Sequence, residues 1–264
     1  MRALRPNRIL AACRVLITGS SSGIGRALAL ELARRHAKLV LTARRATRLK
    51  EVVRAVRQAG SEAVDVPGDL TDRTLPRALM DAAQQHYGGL DVLVNNAGIG
   101  GIGTFASADA ERLRQIMEVN FFAPAELIRQ ALPLLRASSD AAIVNVGSVL
   151  GHCAVPKKSE YCASKFALHG FTDALRAELA AEGIDVVLVS PSTTDSEFFS
   201  QALRSDGVAA ENRRRMSPED VARHVVRAIE CRRREVILSA SGRMLVWADR
   251  LIPGWTSYML QRFG

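Results

Sequence analysis

The residues best suited to chemistry are a tyrosine and a lysine four positions apart, with a serine upstream. Tyr161 and Lys165 stand in the segment YCASK, and Ser148 ends the segment NVGS. Residues at i and i+4 share one face of a helix, so a helix here would place the ammonium beside the phenol. A free phenol, with a pKa of ~10, is a poor acid at neutral pH, and a nearby cation stabilises the phenolate. The trio could move a proton, although a Tyr–Lys pair taken alone is more often a plain surface pair.

A second motif could hold a phosphate-bearing cofactor. The segment TGSSSGIG runs from Thr18 to Gly25, after an apolar run and before a helical pattern. Gly19 permits a tight turn, Gly23 lets the backbone approach a pyrophosphate, and Gly25 allows close packing of helix on strand. The free N–H groups at the start of the helix would attract the negative charge. The spacing differs from the common G-x-G-x-x-G pattern, so the glycines alone would also suit an ordinary turn.

The elements that must position these motifs alternate along the chain. Seven short β-branched runs are predicted strands, several apolar almost throughout, as expected for strands buried on both faces. Helical patterns fill the gaps, for example over 26–36 and over 46–60, where Gly60 would be a C-terminal cap. The predicted fold is α/β, a doubly wound, Rossmann-type parallel seven-stranded sheet with helices on both faces. The predicted strands are 14–18, 38–42, 62–66, 90–95, 141–146, 184–190 and 235–239.

Composition indicates a single domain over 1–264 with an amphipathic extension at 241–264. No apolar run approaches the ~18 residues of a transmembrane helix. Four scattered cysteines are typical of a reduced cytoplasmic protein, and five dispersed histidines predict no metal site. The net charge of +9 could suit nucleic acid, but the arginine clusters are short, so nucleic-acid binding is not expected.

Together, in this order and at this separation, the motifs resemble the classical short-chain dehydrogenase/reductase family, over about residues 14–240. The resemblance implies an oxidoreductase that transfers a hydride between a nicotinamide cofactor and a carbonyl or secondary alcohol. Tyr161 would donate the proton and Ser148 would orient the substrate oxygen. Lys165 would also hold the nicotinamide ribose, and Asn120 in EVNFF would position a water that links Lys165 to solvent.

The resemblance also implies that NADP(H) is preferred over NAD(H). Ala43 stands where NAD-specific proteins carry an acid, and Arg44 would meet the 2′-phosphate. Three positions depart from the family pattern: Ser22 replaces a basic residue of many NADP-dependent relatives, Ser192 replaces a glycine, and Ser196 replaces a threonine but keeps the hydroxyl. The implied cofactor-binding residues, with Asp69 at the adenine, are Gly19, Ser21, Ser22, Gly23, Ile24, Gly25, Arg44, Asp69, Leu70, Asn95, Ala97, Gly98, Tyr161, Lys165, Pro191, Thr194 and Ser196.

Three segments, 99–106, 149–160 and 193–215, are expected to wall the substrate pocket. Their largely apolar side chains favour a hydrophobic ketone or aldehyde, although Lys157 and Lys158 could meet an anion. An oxoacyl reductase, a sugar or steroid dehydrogenase and a xenobiotic carbonyl reductase all stay open, because one fold serves many substrates. A non-catalytic module that senses NADP(H) is the alternative, although it would not need the proton-transfer trio. The apolar wall residues are Ile99, Ile102, Phe105, Val149, Leu150, Val155, Phe198 and Phe199.

The extension at 241–264 carries Trp247 and Trp255 on apolar stripes at helical spacing, interrupted by Pro253-Gly254. It could pack over the substrate pocket or against a partner subunit. It could also lie in a membrane interface, with its arginines at anionic headgroups. Family members usually form dimers or tetramers through helices near 110–135 and 160–180, so the resemblance implies a homo-oligomer too.

Overall fold

The computed structural model describes residues 5–195, 198, 202–204 and 216–263. Within these ranges, seven parallel strands form one sheet in the order 3-2-1-4-5-6-7, which confirms the doubly wound α/β fold. Each strand lies within a predicted run, and the largest differences are two residues at a strand end. The strands are β1 (Arg14–Thr18), β2 (Lys38–Thr42), β3 (Ala63–Asp65), β4 (Val92–Asn95), β5 (Ala142–Val146), β6 (Asp185–Ser190) and β7 (Glu235–Ile237).

Helices cover both faces of the sheet. The first, second and seventh helices pack on one face, and the third, fifth and sixth pack on the other. The second helix ends before Gly60, which adopts a left-handed φ of 82° as a C-terminal cap requires. The helices are α1 (Gly23–Ala33), α2 (Ala46–Gln58), α3 (Leu75–Tyr87), α4 (Ala110–Met117), α5 (Ala123–Arg136), α6 (Ser159–Glu178), α7 (Pro218–Glu230), α8 (Ala240–Leu251) and α9 (Pro253–Phe263).

Burial on both faces explains why the strands lack polar alternation. In β1, Val15 and Ile17 join the core under α1, α2 and α7, while Leu16 joins the core on the opposite face. All three side chains are fully buried. Burying one such side chain contributes roughly 1.5–3 kcal/mol, so the central strands anchor both layers of helices.

A chain of amide and hydroxyl groups connects the centre of the sheet to α6. Asn95 and Asn145 are register partners, and the Asn95 Nδ2 donates to Asn145 Oδ1 at 2.9 Å. The Asn145 Nδ2 donates to Thr172 Oγ1 on α6, also at 2.9 Å. Because these groups are buried, losing a partner would be costly, and the bonds therefore hold α6 in one position on the sheet.

The opposite end of the sheet is closed by charged groups. The buried guanidinium of Arg8 lies 2.8 Å from Asp185 Oδ2 and 3.2 Å from Asp140 Oδ1. The Arg232 guanidinium lies 2.6 Å from the Asp185 carboxylate and 2.7 Å from the Asp140 carboxylate. These ion pairs attach the segment before β1 to the loops that precede β5 and β6, away from the carboxyl ends of the strands.

The extension forms α8 and α9, and Pro253 begins the second helix. Val246 of α8 is buried and packs against Val149 and Cys153. No helix within the described ranges combines the length and the apolar composition needed to span a bilayer.

Candidate active site

A cleft of about 1080 Å³ opens beyond the carboxyl ends of the central strands. Both sequence motifs contribute to its walls, the glycine-rich turn at one end and the Ser–Tyr–Lys trio at the other. The predicted site residues that line this cleft are Gly19, Ser21, Ser22, Gly23, Ile24, Arg44, Asp69, Leu70, Ala97, Gly98, Ser148, Tyr161, Lys165, Pro191 and Thr194.

Three of the predicted residues, Gly25, Asn95 and Asn120, do not line the cleft and are placed behind its surface. A fourth, Ser196, lies outside the described residues. Gly25 is buried under the turn, where an added Cβ would lie 2.3 Å from the Gly19 carbonyl oxygen. Its role in this structure is therefore close packing of α1 on the turn, as the spacing indicated.

The glycine-rich turn presents backbone N–H groups to the cleft. Gly19 and Gly23 have positive φ values of 70° and 52°, which residues with a Cβ rarely adopt. Ser22 occupies the N-cap of α1, yet its side chain makes no capping hydrogen bond within the described chain. The first N–H groups of α1 are thus available to an anion, and the residues fit a cofactor pyrophosphate.

The loop after β4 is fixed against this turn. The Thr18 hydroxyl oxygen accepts the N–H groups of Asn96 and Ala97, each at 3.0 Å. The Asn96 Nδ2 in turn donates to the Thr18 carbonyl at 2.8 Å. These bonds set the distance between the two loops, which form neighbouring walls of the cleft.

The predicted trio of Ser148, Tyr161 and Lys165 comes together where β5 meets α6. The Lys165 ammonium donates to the Val146 carbonyl oxygen at 3.0 Å and lies 5.8 Å from the centre of the Tyr161 ring. Ser148 lies close enough to Tyr161 to lower the pKa of its phenol. The Ser148 Oγ also accepts the Leu150 N–H at 3.1 Å, which holds the serine at the start of a helical turn.

Burial acts on the two titratable groups in opposite directions. It raises the pKa of the Tyr161 phenol to about 12, and the nearby Ser148 hydroxyl only partly offsets this rise. It lowers the pKa of the Lys165 ammonium to about 8. In the chain by itself the net shift of the phenol pKa is upward, because desolvation of the phenolate is its largest cause. At neutral pH the phenol is protonated and can act as a proton donor.

The first turn of α6 is held by a buried ion pair. Glu160, next to Tyr161, accepts two hydrogen bonds from the Arg112 guanidinium of α4, and both side chains are buried. A bidentate pair in a dry environment is geometrically specific. It therefore fixes where α6 begins and limits how far the Tyr161 ring can move.

Asn120 lies in a wider, π-helical turn (Glu118–Phe122) between α4 and α5. Its Nδ2 donates to the Ile99 carbonyl at 2.9 Å and to Ser164 Oγ at 3.0 Å, and its Oδ1 accepts the Ile99 N–H at 2.8 Å. The amide thus connects the loop after β4 to α6. In this arrangement Asn120 braces the backbone beside Lys165.

The sequence interpretation missed Arg45. Its guanidinium donates to Ser22 Oγ at 2.6 Å and to Ser21 Oγ at 3.3 Å, whereas Arg44 is exposed. Both arginines line the cleft. The basic pair was visible in the sequence, but which side chain turns toward the glycine-rich turn depends on where α2 begins.

The apolar end of the cleft matches the prediction in part. Phe198 lines the cleft as predicted and packs edge-on against Tyr161, with ring centres 5.6 Å apart. Phe105 does not line the cleft, and its side chain is 66% exposed. Ile102 does not line the cleft, and Phe199 lies outside the described residues. The extension packs over this end of the cleft, one of the two placements expected for it, and adds Leu245 and Leu260 to the wall. The apolar lining comprises Ile99, Val149, Leu150, Val155, Phe198, Leu245 and Leu260.

Ser192 takes the place of the expected glycine without strain. It is absent from the non-glycine residues with positive φ in the described ranges, and its backbone therefore tolerates a Cβ. Lys157 does have a positive φ, of 63°, directly before Lys158 in the cleft wall.

The buried ammonium of Lys165 predicts a pH-dependent cost in stability. Its folded pKa of about 8 lies below the ordinary value of 10.5, so the unfolded chain binds more protons between these pH values. The cost is full below about pH 8 and is relieved as the pH rises toward 10.5. We expect Lys165→Met to raise the free energy of unfolding by about 1–3 kcal/mol at pH 7, and the gain to shrink by about 1 kcal/mol at pH 9.

Urea denaturation of both proteins at the two pH values measures this difference. Exposed Lys50→Met is the matched control, and its effect should not change with pH. A Lys165→Met protein that is less stable than the parent at both pH values would contradict the assigned burial cost.

Comparison with known proteins agrees with this geometry. The short chain dehydrogenase family matches residues 14–206. A dehydrogenase/reductase SDR family protein 7-like from Anopheles gambiae is 32% identical over 273 residues, covering 99% of this chain and 86% of that protein. Ketoacyl reductase HetN from Nostoc sp. is 36% identical over 226 residues, covering 85% of this chain and 78% of its own.

The fold is also shared with a solved structure. A short chain dehydrogenase/reductase from Burkholderia phymatum in complex with NAD superposes with a TM-score of 0.86 and 26% identity, covering 94% of this chain and 96% of that one. Family match, sequence relatives and structure point the same way, so this chain belongs to the short-chain dehydrogenase/reductase family of oxidoreductases.

Proposed function

We propose that this protein transfers a hydride between NADP(H) and a hydrophobic ketone or aldehyde, or the corresponding secondary alcohol. The observation that carries the proposal is the meeting of Ser148, Tyr161 and Lys165 at one end of a cleft whose other end presents free helix N–H groups. When bound, the cofactor would supply or accept the hydride. The residues around it would bind the cofactor, orient the substrate and move the proton.

In the direction of reduction, Tyr161 is the proton donor. Its phenol is protonated at neutral pH because burial raises the pKa to about 12, and the Lys165 ammonium nearby stabilises the phenolate that forms. Ser148, which lies near the phenol, would orient the substrate oxygen. Phe198 and the apolar wall exclude water from the reacting atoms.

We expect Tyr161→Phe to reduce turnover by about 10²–10⁴-fold, because only the hydroxyl carries the proton. Folding and NADPH affinity should stay close to those of the parent. Tyr258→Phe, on the exposed face of α9, is the matched control and should retain full turnover. NADPH consumption against a broad panel of carbonyl compounds gives the rates.

The same panel separates an enzyme from an NADP(H)-sensing module. Tight NADPH binding with no turnover of any carbonyl compound would favour the sensor. A Tyr161→Phe protein that retains more than about a tenth of the parent's activity would show that another group donates the proton.

The preference for NADP(H) is supported by charge at the end of β2. Arg44 is exposed in the cleft wall, and the Arg45 guanidinium already contacts the serines of the glycine-rich turn. Ala43 leaves the ribose hydroxyl without an acidic partner. The Burkholderia phymatum structure holds NAD, so the basic pair of this chain is the feature that argues for the phosphorylated cofactor.

We expect Arg44→Ala and Arg45→Ala each to weaken NADPH binding by roughly 10- to 150-fold, the worth of one charge-assisted hydrogen bond. NADH binding should change little. Titrating both cofactors by fluorescence quenching measures the ratio, with exposed Arg48→Ala as the control. Equal losses for NADPH and NADH would refute recognition of the 2′-phosphate by these side chains.

We propose an apolar substrate because this part of the cleft wall consists largely of apolar side chains. Val149, Leu150 and Val155 come from the loop after Ser148, and Leu245 and Leu260 come from α8 and α9. The name of the Nostoc relative, a ketoacyl reductase, supports a keto group as the reacting centre. Lys158 in the same wall could meet an anionic group of such a substrate.

We also propose a homo-oligomer that packs through α5 and α6. Phe122, just before α5, is 52% exposed and Phe166 on α6 is 43% exposed. Large aromatic side chains left in water favour burial against another surface. A second copy of the chain would provide one.

The outer face of α8 and α9 supports peripheral contact with a membrane by a cytoplasmic protein. Six large side chains on or between these helices are more than half exposed, although Val246 and Thr256 of the same helices are buried. The arginines at 243, 250 and 262 would meet anionic headgroups, and aromatic side chains suit the interfacial region. The exposed set comprises Met244, Trp247, Leu251, Ile252, Trp255 and Tyr258.

We expect the protein to co-sediment with phosphatidylserine vesicles and much less with phosphatidylcholine vesicles. The double variant Trp247→Ser/Trp255→Ser should lose most of this binding, because it removes the largest exposed apolar area. Phe105→Ser, which removes an equally exposed aromatic elsewhere, should bind as the parent does. A parent protein that ignores anionic vesicles, or a double variant that loses its oligomer instead, would overturn the membrane assignment.

A further inference from the structure

Two histidines and a glutamate that stand far apart in the sequence meet outside the cleft. We propose that His152, His169 and Glu235 form a binding site for a divalent transition-metal ion of the zinc type. One ring nitrogen from each imidazole and one carboxylate oxygen all lie within 4.8 Å of one another. None of the three lines the cofactor and substrate cleft.

Three different elements supply these side chains. His152 ends the helical turn that follows Ser148, His169 lies in the middle of α6, and Glu235 is the first residue of β7. The two imidazole rings are adjacent, with centres 4.2 Å apart. The Nε2 of His152 lies 3.6 Å from Glu235 Oε1.

An unpartnered nitrogen marks the buried side of the site. His152 is 6% exposed, and its Nδ1 has no hydrogen-bond partner among the residues that the structure describes. Its Nε2 lies 2.8 Å from Ser190 Oγ, and in the tautomer in which Nε2 donates to that hydroxyl, Nδ1 keeps a bare lone pair. A buried polar atom without a protein partner is uncommon in folded proteins, and an ion or an ordered water would satisfy it.

His169 has the orientation typical of a metal ligand. Its Nδ1 lies 2.9 Å from the Gly151 carbonyl oxygen, which can only accept, so Nδ1 carries the proton. The Nε2 then keeps its lone pair. A backbone carbonyl that fixes the tautomer in this way is the usual outer partner of a histidine that binds a metal.

The donor set and the access suit zinc. Two histidines and one glutamate form a known three-ligand set that leaves a fourth position for water. The Glu235 side chain is 36% exposed, so both the ion and a water can reach the site from solvent. A tetrahedral ion with bonds of about 2.1 Å needs its ligand atoms about 3.4 Å apart, so the present separations of up to 4.8 Å would shorten on binding.

Some neighbouring charges would favour a bound cation and others would oppose it. Asp173 Oδ2 lies 3.4 Å from His169 Nε2 and would stabilise a cation there. Arg250 on α8 is near enough to His152 to oppose one. The bound ion would connect β7 at the edge of the sheet to the loop after Ser148 and to α6, and its main effect would be on stability.

Calorimetric titration of the metal-stripped full-length protein with zinc chloride tests the site. We expect about one ion per chain, and a rise in Tm of about 5 °C at a free zinc concentration 100 times Kd. Glu235→Gln keeps the side-chain shape, and both it and His169→Gln should weaken binding at least 10-fold. Exposed His86→Gln on α3 should bind zinc as the parent does.

Cysteine ligation is tested separately with Cys231→Ser, since that thiol is only partly buried. Unchanged zinc affinity in this variant supports the His–His–Glu site. A folded parent that binds no zinc, or affinity that survives both Glu235→Gln and His169→Gln, would overturn the proposal. These readouts do not involve turnover, so they stand independently of the proposed oxidoreductase function.

Discussion

Burial of the Lys165 ammonium is the constraint on which the rest of the site depends. The side chain is 4% exposed and donates to the Val146 carbonyl at the end of β5. Removing the charge from water lowers the lysine pKa to about 8, so its position costs stability. The fold must therefore hold α6 firmly, because a small withdrawal of the helix would let water reach the ammonium and would separate it from Tyr161.

Three sets of contacts fix the position of α6 on the sheet. The Glu160–Arg112 pair anchors its first turn, and Thr172 bonds through Asn145 to the middle of the sheet. Asn120 connects Ser164 to the loop after β4. These polar groups share one structural role, which is to keep the face of α6 that carries Tyr161 and Lys165 against the ends of β4 and β5.

The extension at 241–264 contributes both to the wall of the cleft and to the exposed surface of the protein. Leu245 and Leu260 face inward and add apolar wall, while Trp247 and Trp255 on the same two helices face outward and are more than half exposed. Under the proposed function, a partner bound to the outer face of α8 and α9 would therefore contact the same two helices that line the apolar end of the cleft.

The sequence by itself determined those features that depend on a local pattern of residues. The seven strands were predictable because parallel strands buried on both faces must be apolar at successive positions, as Val15, Leu16 and Ile17 are. The glycine-rich turn and the Tyr161–Lys165 pair were predictable because their spacing reflects a turn and one helix face. Each of these features depends on residues within a few positions of one another.

Only the tertiary structure decided which side chains meet across distant elements. Arg45, rather than Arg44, contacts the glycine-rich turn because α2 begins immediately after it. His152 and Glu235 come together because β7 pairs with β6 beside the loop after β5. Such contacts depend on side-chain direction and on the order of strands in the sheet, and neither leaves a periodic signal in the chain.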